Sequence, residues 1–234
     1  MRWATAVVIP ARNEEASIER CVAAALASCD ASRRCRETWV TVVADRCTDA
    51  TAGRARRSLA GRGEVIECAV GSPGTARRIG VTAALRHFAG RRLDRVWLAN
   101  TDADTYVPLS WIDTHLQLAD DNAEAIAGIV QLDPEGLRED VKELYERMYR
   151  LSPDGTHDHV HGANFGVRAD LYLQVGGWSD LTVSEDHCLW NRLKDRGGRL
   201  LSPVASVVLT SGRLRGRAIG GFADTLRAEL GTCE

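Results

Sequence analysis

The sequence predicts an α/β fold with a mostly parallel central sheet, and three observations predict it. Short apolar, β-branched runs recur at residues 4–10, 39–44, 65–70 and 95–100, with stretches of helical period between them. Strands alternating with helices of roughly ten to fifteen residues imply βαβ units and parallel neighbours covered on both faces. Polar groups also follow the carboxyl ends of the first, second and fourth runs, where open α/β sheets bind ligands.

The run 4–10 is closed by Pro10 and reads as a buried strand ending there. A polar loop at 11–15 then enters an Ala-rich helix over about 16–27. The second strand, 39–44, ends in Asp45-Arg46-Cys47-Thr48-Asp49, and Thr48 or Asp49 supplies a cap for a helix over about 50–59. The third, 65–70, gives way to Gly71-Ser72-Pro73-Gly74 and a helix over 75–88.

The fourth strand, 95–100, stops at Thr101-Asp102-Ala103-Asp104. Residues two apart in an extended segment point to one side, so Asp102 and Asp104 can both reach one hard cation completed by water and phosphate oxygens. A solvated turn, with Asp as a local backbone acceptor, fits the same three residues.

The second half has a different texture. A helix over 108–121 carries Trp111, Ile112 and Leu116, and 125–131 reads as one apolar strand. Residues 137–151 form an amphipathic helix with Leu137, Val141, Leu144 and Met148 on one stripe. His157, His159 and His161 alternate along an extended segment; this spacing raises a metal site, but a polar face explains it more simply. The small residues at 162–166 allow a ligand close to the backbone. Gly176-Gly177-Trp178 is a turn, Ser184-Glu185-Asp186 opens a helix running to about 196, and a late strand covers 200–209. A basic, glycine-rich tail at 210–217 and a final helix close the chain.

Composition narrows the classes. The 234 residues carry a net charge of −2 with 26% charged side chains, which gives no nucleic-acid field and no disordered acidic tail. Seven cysteines without a Cys-x-x-Cys pair argue against a zinc knuckle and a disulfide framework. No window approaches the roughly 18 consecutive apolar residues of a spanning helix. The expectation is one cytoplasmic domain over 1–234, with peripheral contact at the inner face of the membrane compatible with it.

These pieces, in this order, resemble the family 2 glycosyltransferases, inverting enzymes with the A-type nucleotide-diphospho-sugar transferase fold. Val7-Val8-Ile9-Pro10-Ala11-Arg12-Asn13-Glu14-Glu15 looks like the family's opening Pro-x-x-Asn-Glu strand and loop. The segment 42–51 is similar to Asp-Asp-x-Ser-x-Asp-x-Thr, with Asp45 kept and Ala44 in place of the other acid. Asp102-Ala103-Asp104 matches the metal-binding Asp-x-Asp, and Glu185-Asp186 the late acidic pair that supplies the base. The Gln-x-x-Arg-Trp motif of processive synthases is absent, so the resemblance implies transfer of one sugar to a discrete hydroxyl or carboxyl acceptor.

The resemblance implies a nucleotide-sugar half at 1–107 and an acceptor and catalytic half at 108–234. Pro10, Ala11, Asn13 and Glu14 belong to the donor loops, with Asp45 accepting from a base N–H. Asp104, with Asp102 on metal or ribose, would hold Mg²⁺ or Mn²⁺, while Arg77, Arg78 and Arg213 add positive charge at the diphosphate. Asp186 is the expected base, Glu185 its neighbour, and His161, Asn164 and Trp178 the acceptor side. UDP is favoured over GDP on family frequency, and the acceptor is a small molecule or lipid-like. A nucleotidyltransferase of this fold would carry a glycine-rich basic loop after strand one, where this chain has Ala-Arg-Asn-Glu-Glu. A non-catalytic module would have lost Asp104 or Asp186.

Overall fold

A computed structural model of the chain describes residues 2–135, 137–149, 152, 156–213 and 222–231. Arg215 and Arg217 of the basic tail, and the end of the helix expected over 137–151, lie outside the described residues.

The first half alternates as its pattern predicts. β1 (Trp3–Ala11), α1 (Ile18–Ala31), β2 (Cys35–Asp45), α2 (Thr51–Leu59), β3 (Gly63–Cys68), α3 (Pro73–His87) and β4 (Val96–Asn100) follow one another. β1 lies between β2 and β4 and parallel to both, with β3 parallel outside β2. α3 starts at Pro73, two residues earlier than expected, because Ser72 Oγ accepts from the Thr75 N–H at 3.3 Å and proline suits the first helical position.

The second half supplies β5 (Thr105–Tyr106), α4 (Trp111–Asp120), β6 (Ala125–Ala127), β7 (Ile129–Leu132), α5 (Glu139–Met148), β8 (Phe165–Arg168), α6 (Ala169–Gln174), α7 (Glu185–Asp195), β9 (Leu200–Leu201), β10 (Val207–Thr210) and α8 (Phe222–Gly231). The main sheet runs β3-β2-β1-β4-β8-β6-β9, with β8 antiparallel to both its neighbours, and a small sheet runs β5-β10-β7.

Two expected strands are therefore each divided between the sheets. The run 125–131 breaks at Gly128, whose N–H donates to Asn164 O at 2.9 Å and whose Cα leaves room for the Asn164 amide. The run 200–209 breaks at the same level, where Ser206 O accepts from the Ile129 N–H at 2.7 Å. β6 pairs with β9 and β7 with β10, so both chains step between sheets together.

Continuous apolar strands are explained by burial on both faces. Val7, Ile9 and Trp97 pack with Trp111 and Ile112 of α4 and with residues of α1 and α2, while Val8, Leu98 and Phe165 face Val81, Leu171, Trp178 and Leu189. A smaller cluster joins Leu132 to Val141, Leu144 and Tyr145 of α5, with Leu230 of α8 against it.

Candidate active site

At the carboxyl ends of β1, β2 and β4 lies a cavity of about 480 Å³, lined from both halves of the chain. Pockets of this size suit a nucleotide-sized ligand, and the position is the one an open α/β sheet offers.

α3 brings Arg77 to the floor of this cavity. Its side chain is 4% exposed, and its Nη2 donates to Asp102 Oδ1 at 2.6 Å. Nη1 donates to Glu185 Oε1, and the guanidinium lies 5.3 Å over the Trp178 ring. Burial works against the charge, but Asp102 and then Glu185 outweigh it and hold the Arg77 pKa above the ordinary arginine value. An isolated buried guanidinium would cost several kcal/mol; two charge-assisted partners and an aromatic face offset that cost. One side chain thus ties the tip of β4 to the start of α7.

Arg213, just beyond β10, makes a second bridge. Its Nη1 donates to Glu14 Oε2 at 2.8 Å, Nη2 also reaches Glu14, and Nη2 stands 3.1 Å from Asp104 Oδ2. Thr210 Oγ1 adds a 3.4 Å contact to Asp104 Oδ1. Glu14 is fixed from behind, its N–H donating to Thr51 Oγ1 at 2.8 Å. Burial pushes the Asp104 carboxyl up to about 6, with Arg213 opposing the shift. Each acid of the Asp-x-Asp loop therefore carries an arginine, and each arginine a glutamate.

Asp186 occupies the first turn of α7. Its Oδ2 accepts from the Gly162 N–H at 3.0 Å and its Oδ1 from the His187 N–H at 2.8 Å. Ser184, before it, sits in the left-handed region at φ 58°, a conformation serine adopts only when its surroundings impose it. His161 and His187 line the same wall. Burial lowers the His161 pKa to about 4 against the pull of Asp186, so its ring is neutral at physiological pH.

Side-chain oxygens that accept from backbone N–H groups tie together the loops after β1, β2 and β3. Asp45 accepts from the Val70 and Gly71 N–H groups at 2.8 Å each, and with Pro10 and Ala11 it lines the cavity. Asn13, at φ 53°, is not in the lining; its Oδ1 takes the Thr48 N–H at 2.7 Å and joins the first two loops. Ala103 is buried in the wall, whereas Arg78 is exposed and outside the cavity. Arg46, missed in the sequence, also lines it, its guanidinium packed on Gly71. Its place directly after Asp45 was the available signal.

Two acceptor-side expectations are corrected. Asn164 is fully buried: its Oδ1 accepts from Trp111 Nε1 at 2.9 Å and its Nδ2 donates to Ile129 O and Ser206 O at 2.9 and 3.0 Å. It pins the step between the sheets, because the broken strands leave carbonyls that need a donor. Trp178 is 1% exposed and packs on Phe165, carrying Arg77 instead of facing a ligand. His159 and His161 stack on Tyr149 instead of converging.

Among the described residues no group of three or more His, Cys, Asp or Glu side chains converges on a cation position. The donors present at the Asp-x-Asp loop are all carboxylate oxygens, which fit Mg²⁺ or Mn²⁺ in a site completed by ligand oxygens and water.

The family described as "Glycosyltransferase like family 2" matches residues 2–215. No curated protein matches. Among solved structures, the mannosyltransferase PcManGT of Pyrobaculum calidifontis, in complex with GDP-Man and Mn²⁺, superposes at a TM-score of 0.62 with 20% identity, over 98% of this chain and 69% of that one. S. aureus TarS in complex with UDP-GlcNAc gives 0.66 and 15%, over 93% of this chain and 61% of that one. Glucosyl-3-phosphoglycerate synthase of Mycobacterium tuberculosis, in complex with Mg²⁺ and UDP, gives 0.56 and 14%, over 98% and 79%. At these identities the likeness establishes the A-type fold.

Proposed function

The chain belongs to the family 2-like glycosyltransferases and is a glycosyltransferase of the A-type fold, and from that premise we propose that it is an inverting enzyme. It moves one sugar from a nucleotide-diphospho-sugar, UDP-linked by preference, to a discrete hydroxyl or carboxyl acceptor. The observation that carries the reading is the Arg77 bridge. It brings Asp102 and Glu185 onto one guanidinium, so the Asp-x-Asp loop and the base-bearing turn of α7 share one cavity.

Asp45, Pro10 and Ala11 hold the nucleotide end. Oδ1 of Asp45 accepts from Cys68 Sγ as well as from the Val70 N–H, while Oδ2 keeps a second lone-pair direction after taking the Gly71 N–H, which leaves an acceptor for the base ring N–H. Bound at Asp104 with Asp102 nearby, Mg²⁺ or Mn²⁺ would stabilise negative charge on the departing diphosphate. Arg213 adds fixed positive charge at the same end. At the other end Asp186 receives the proton of the attacking hydroxyl as its oxygen bonds to C1 and the C1–phosphate oxygen bond breaks, the electron pair leaving with the nucleoside diphosphate. The Gly162 N–H holds the carboxylate in place for this step.

Among the described residues no helix is long and apolar enough to cross a membrane. We place the enzyme in the cytoplasm, acting on a small or lipid-like acceptor that reaches it there or at the inner membrane face.

Asp186→Asn tests the assignment. Transfer should fall by about 10²–10⁴-fold, the range of general base catalysis, with donor affinity kept. Substantial residual transfer would remove Asp186 as the base. A thermal-shift panel of UDP-, GDP- and dTDP-sugars, with and without Mn²⁺, identifies the donor, since a ligand that binds only the folded state raises the melting point.

A further inference from the structure

The two arginines of the cavity that hold the Asp-x-Asp loop are not held alike, and the difference bears on how a cation reaches Asp104. Arg77 is enclosed, 4% exposed, and supported by an aromatic face as well as two carboxylates. Arg213 is 29% exposed, with both Nη atoms on Glu14, and its 3.1 Å approach to Asp104 is the loosest of its contacts. Moving off Asp104 costs Arg213 one contact and leaves its anchor on Glu14 in place.

We propose that Arg213 is an exchangeable counter-ion at Asp104, displaced by a divalent cation only when that cation arrives with a nucleoside diphosphate, which then receives the freed guanidinium. The inference rests on the donor reading above. Within the two bridges two guanidiniums face four carboxylates, an excess of negative charge that a divalent cation cancels. A bare cation must nonetheless displace Arg213 and then repel it at close range. A cation carrying a diphosphate brings anionic oxygens, and the planar guanidinium fork matches them as well as it matches a carboxylate. Metal and nucleotide are therefore coupled through this side chain, and each raises the affinity for the other by the same factor.

Isothermal titration of the full chain with Mn²⁺ alone, and with UDP or GDP in the presence of Mn²⁺, tests this in wild type, Arg213→Gln and Arg213→Lys. The partly exposed position allows both variants to fold, which a thermal melt verifies. Arg213→Gln should bind Mn²⁺ alone about tenfold more tightly, and the nucleotide with Mn²⁺ about tenfold more weakly, since a charge-assisted contact is worth about that factor. Arg213→Lys, which keeps the charge, should return Mn²⁺ binding toward wild type. Unchanged or weaker binding of Mn²⁺ alone to Arg213→Gln, in a protein whose wild type binds nucleotide with Mn²⁺, overturns the exchange and leaves the donor reading standing. Absence of Mn²⁺-dependent nucleotide binding in wild type overturns both.

Discussion

The bridges Asp102–Arg77–Glu185 and Asp104–Arg213–Glu14 have the same chemistry and different surroundings. In each a guanidinium joins one acid of the Asp-x-Asp loop to a glutamate from a distant element, but the first is sealed under Trp178 and the second opens toward the cavity. Burial decides what such a pair is for. Arg77, 4% exposed, is costly to move and so fixes geometry, whereas Arg213, 29% exposed, can be traded for a ligand even though the acids it holds, Glu14 and Asp104, are themselves largely buried. On the proposed roles, the Arg77 bridge would set the spacing between the Asp-x-Asp loop and the base, and the Arg213 bridge would prepare a place for the donor's charge.

The largest effect that would break the comparison is on stability. Arg77→Ala leaves Glu185 buried without its cation and Asp102 unpaired, so urea unfolding should show a loss of about 3–5 kcal/mol. A loss under about 1 kcal/mol would mean that the first bridge is no more structural than the second.

Asn164→Ala sharpens the same contrast from the frame behind the site. It strips partners from the buried Trp111 Nε1–H and from the carbonyls of Ile129 and Ser206, and should cost about 2 kcal/mol in the same measurement. A change in the KM for acceptor with unchanged stability would return Asn164 to the acceptor side.

His115 sets a pH signature for that frame. Its ring is fully buried between Trp97 and Ser206, and burial lowers its pKa to about 4. The unfolded chain, with an ordinary histidine pKa near 6.5, binds the proton more readily, so stability is lost as pH falls below about 6.5. The loss is about 2 kcal/mol between pH 7 and pH 5, and His115→Gln should flatten that part of the profile. An unaltered slope in the variant would show that His115 is not its source. The smallest effect belongs to Arg213→Gln, which should cost about 1 kcal/mol, because the buried Glu14 keeps the Ser17 hydroxyl and gains a glutamine amide; a loss comparable to Arg77→Ala would erase the distinction.

Much of the fold was legible because burial on both faces writes β1 to β4 as unbroken apolar runs, with polar loops at their ends. Legibility failed where an apolar run is shared between two sheets. Nothing in 125–131 announces that Gly128 is a step, since the reason lies in Asn164, a residue from another part of the chain. The site divides the same way. Asp45, Asp102, Asp104 and Asp186 stand at strand ends or helix starts that local patterns locate. Glu14 and Arg213 meet across 199 residues of sequence, and no spacing rule connects them. Trp178 and Asn164 were placed by neighbourhood, and a sequence does not say whether a side chain faces the ligand or the frame beneath it.

A crystal structure with Mn²⁺ and a nucleoside diphosphate bound tests the difference between the two bridges most directly. Arg77 should remain on Asp102 and Glu185, while Arg213 leaves Asp104 for a phosphate oxygen and the cation takes its place. A structure in which Arg213 stays on Asp104 with the cation bound elsewhere, or in which Arg77 is the arginine that moves, would contradict the account.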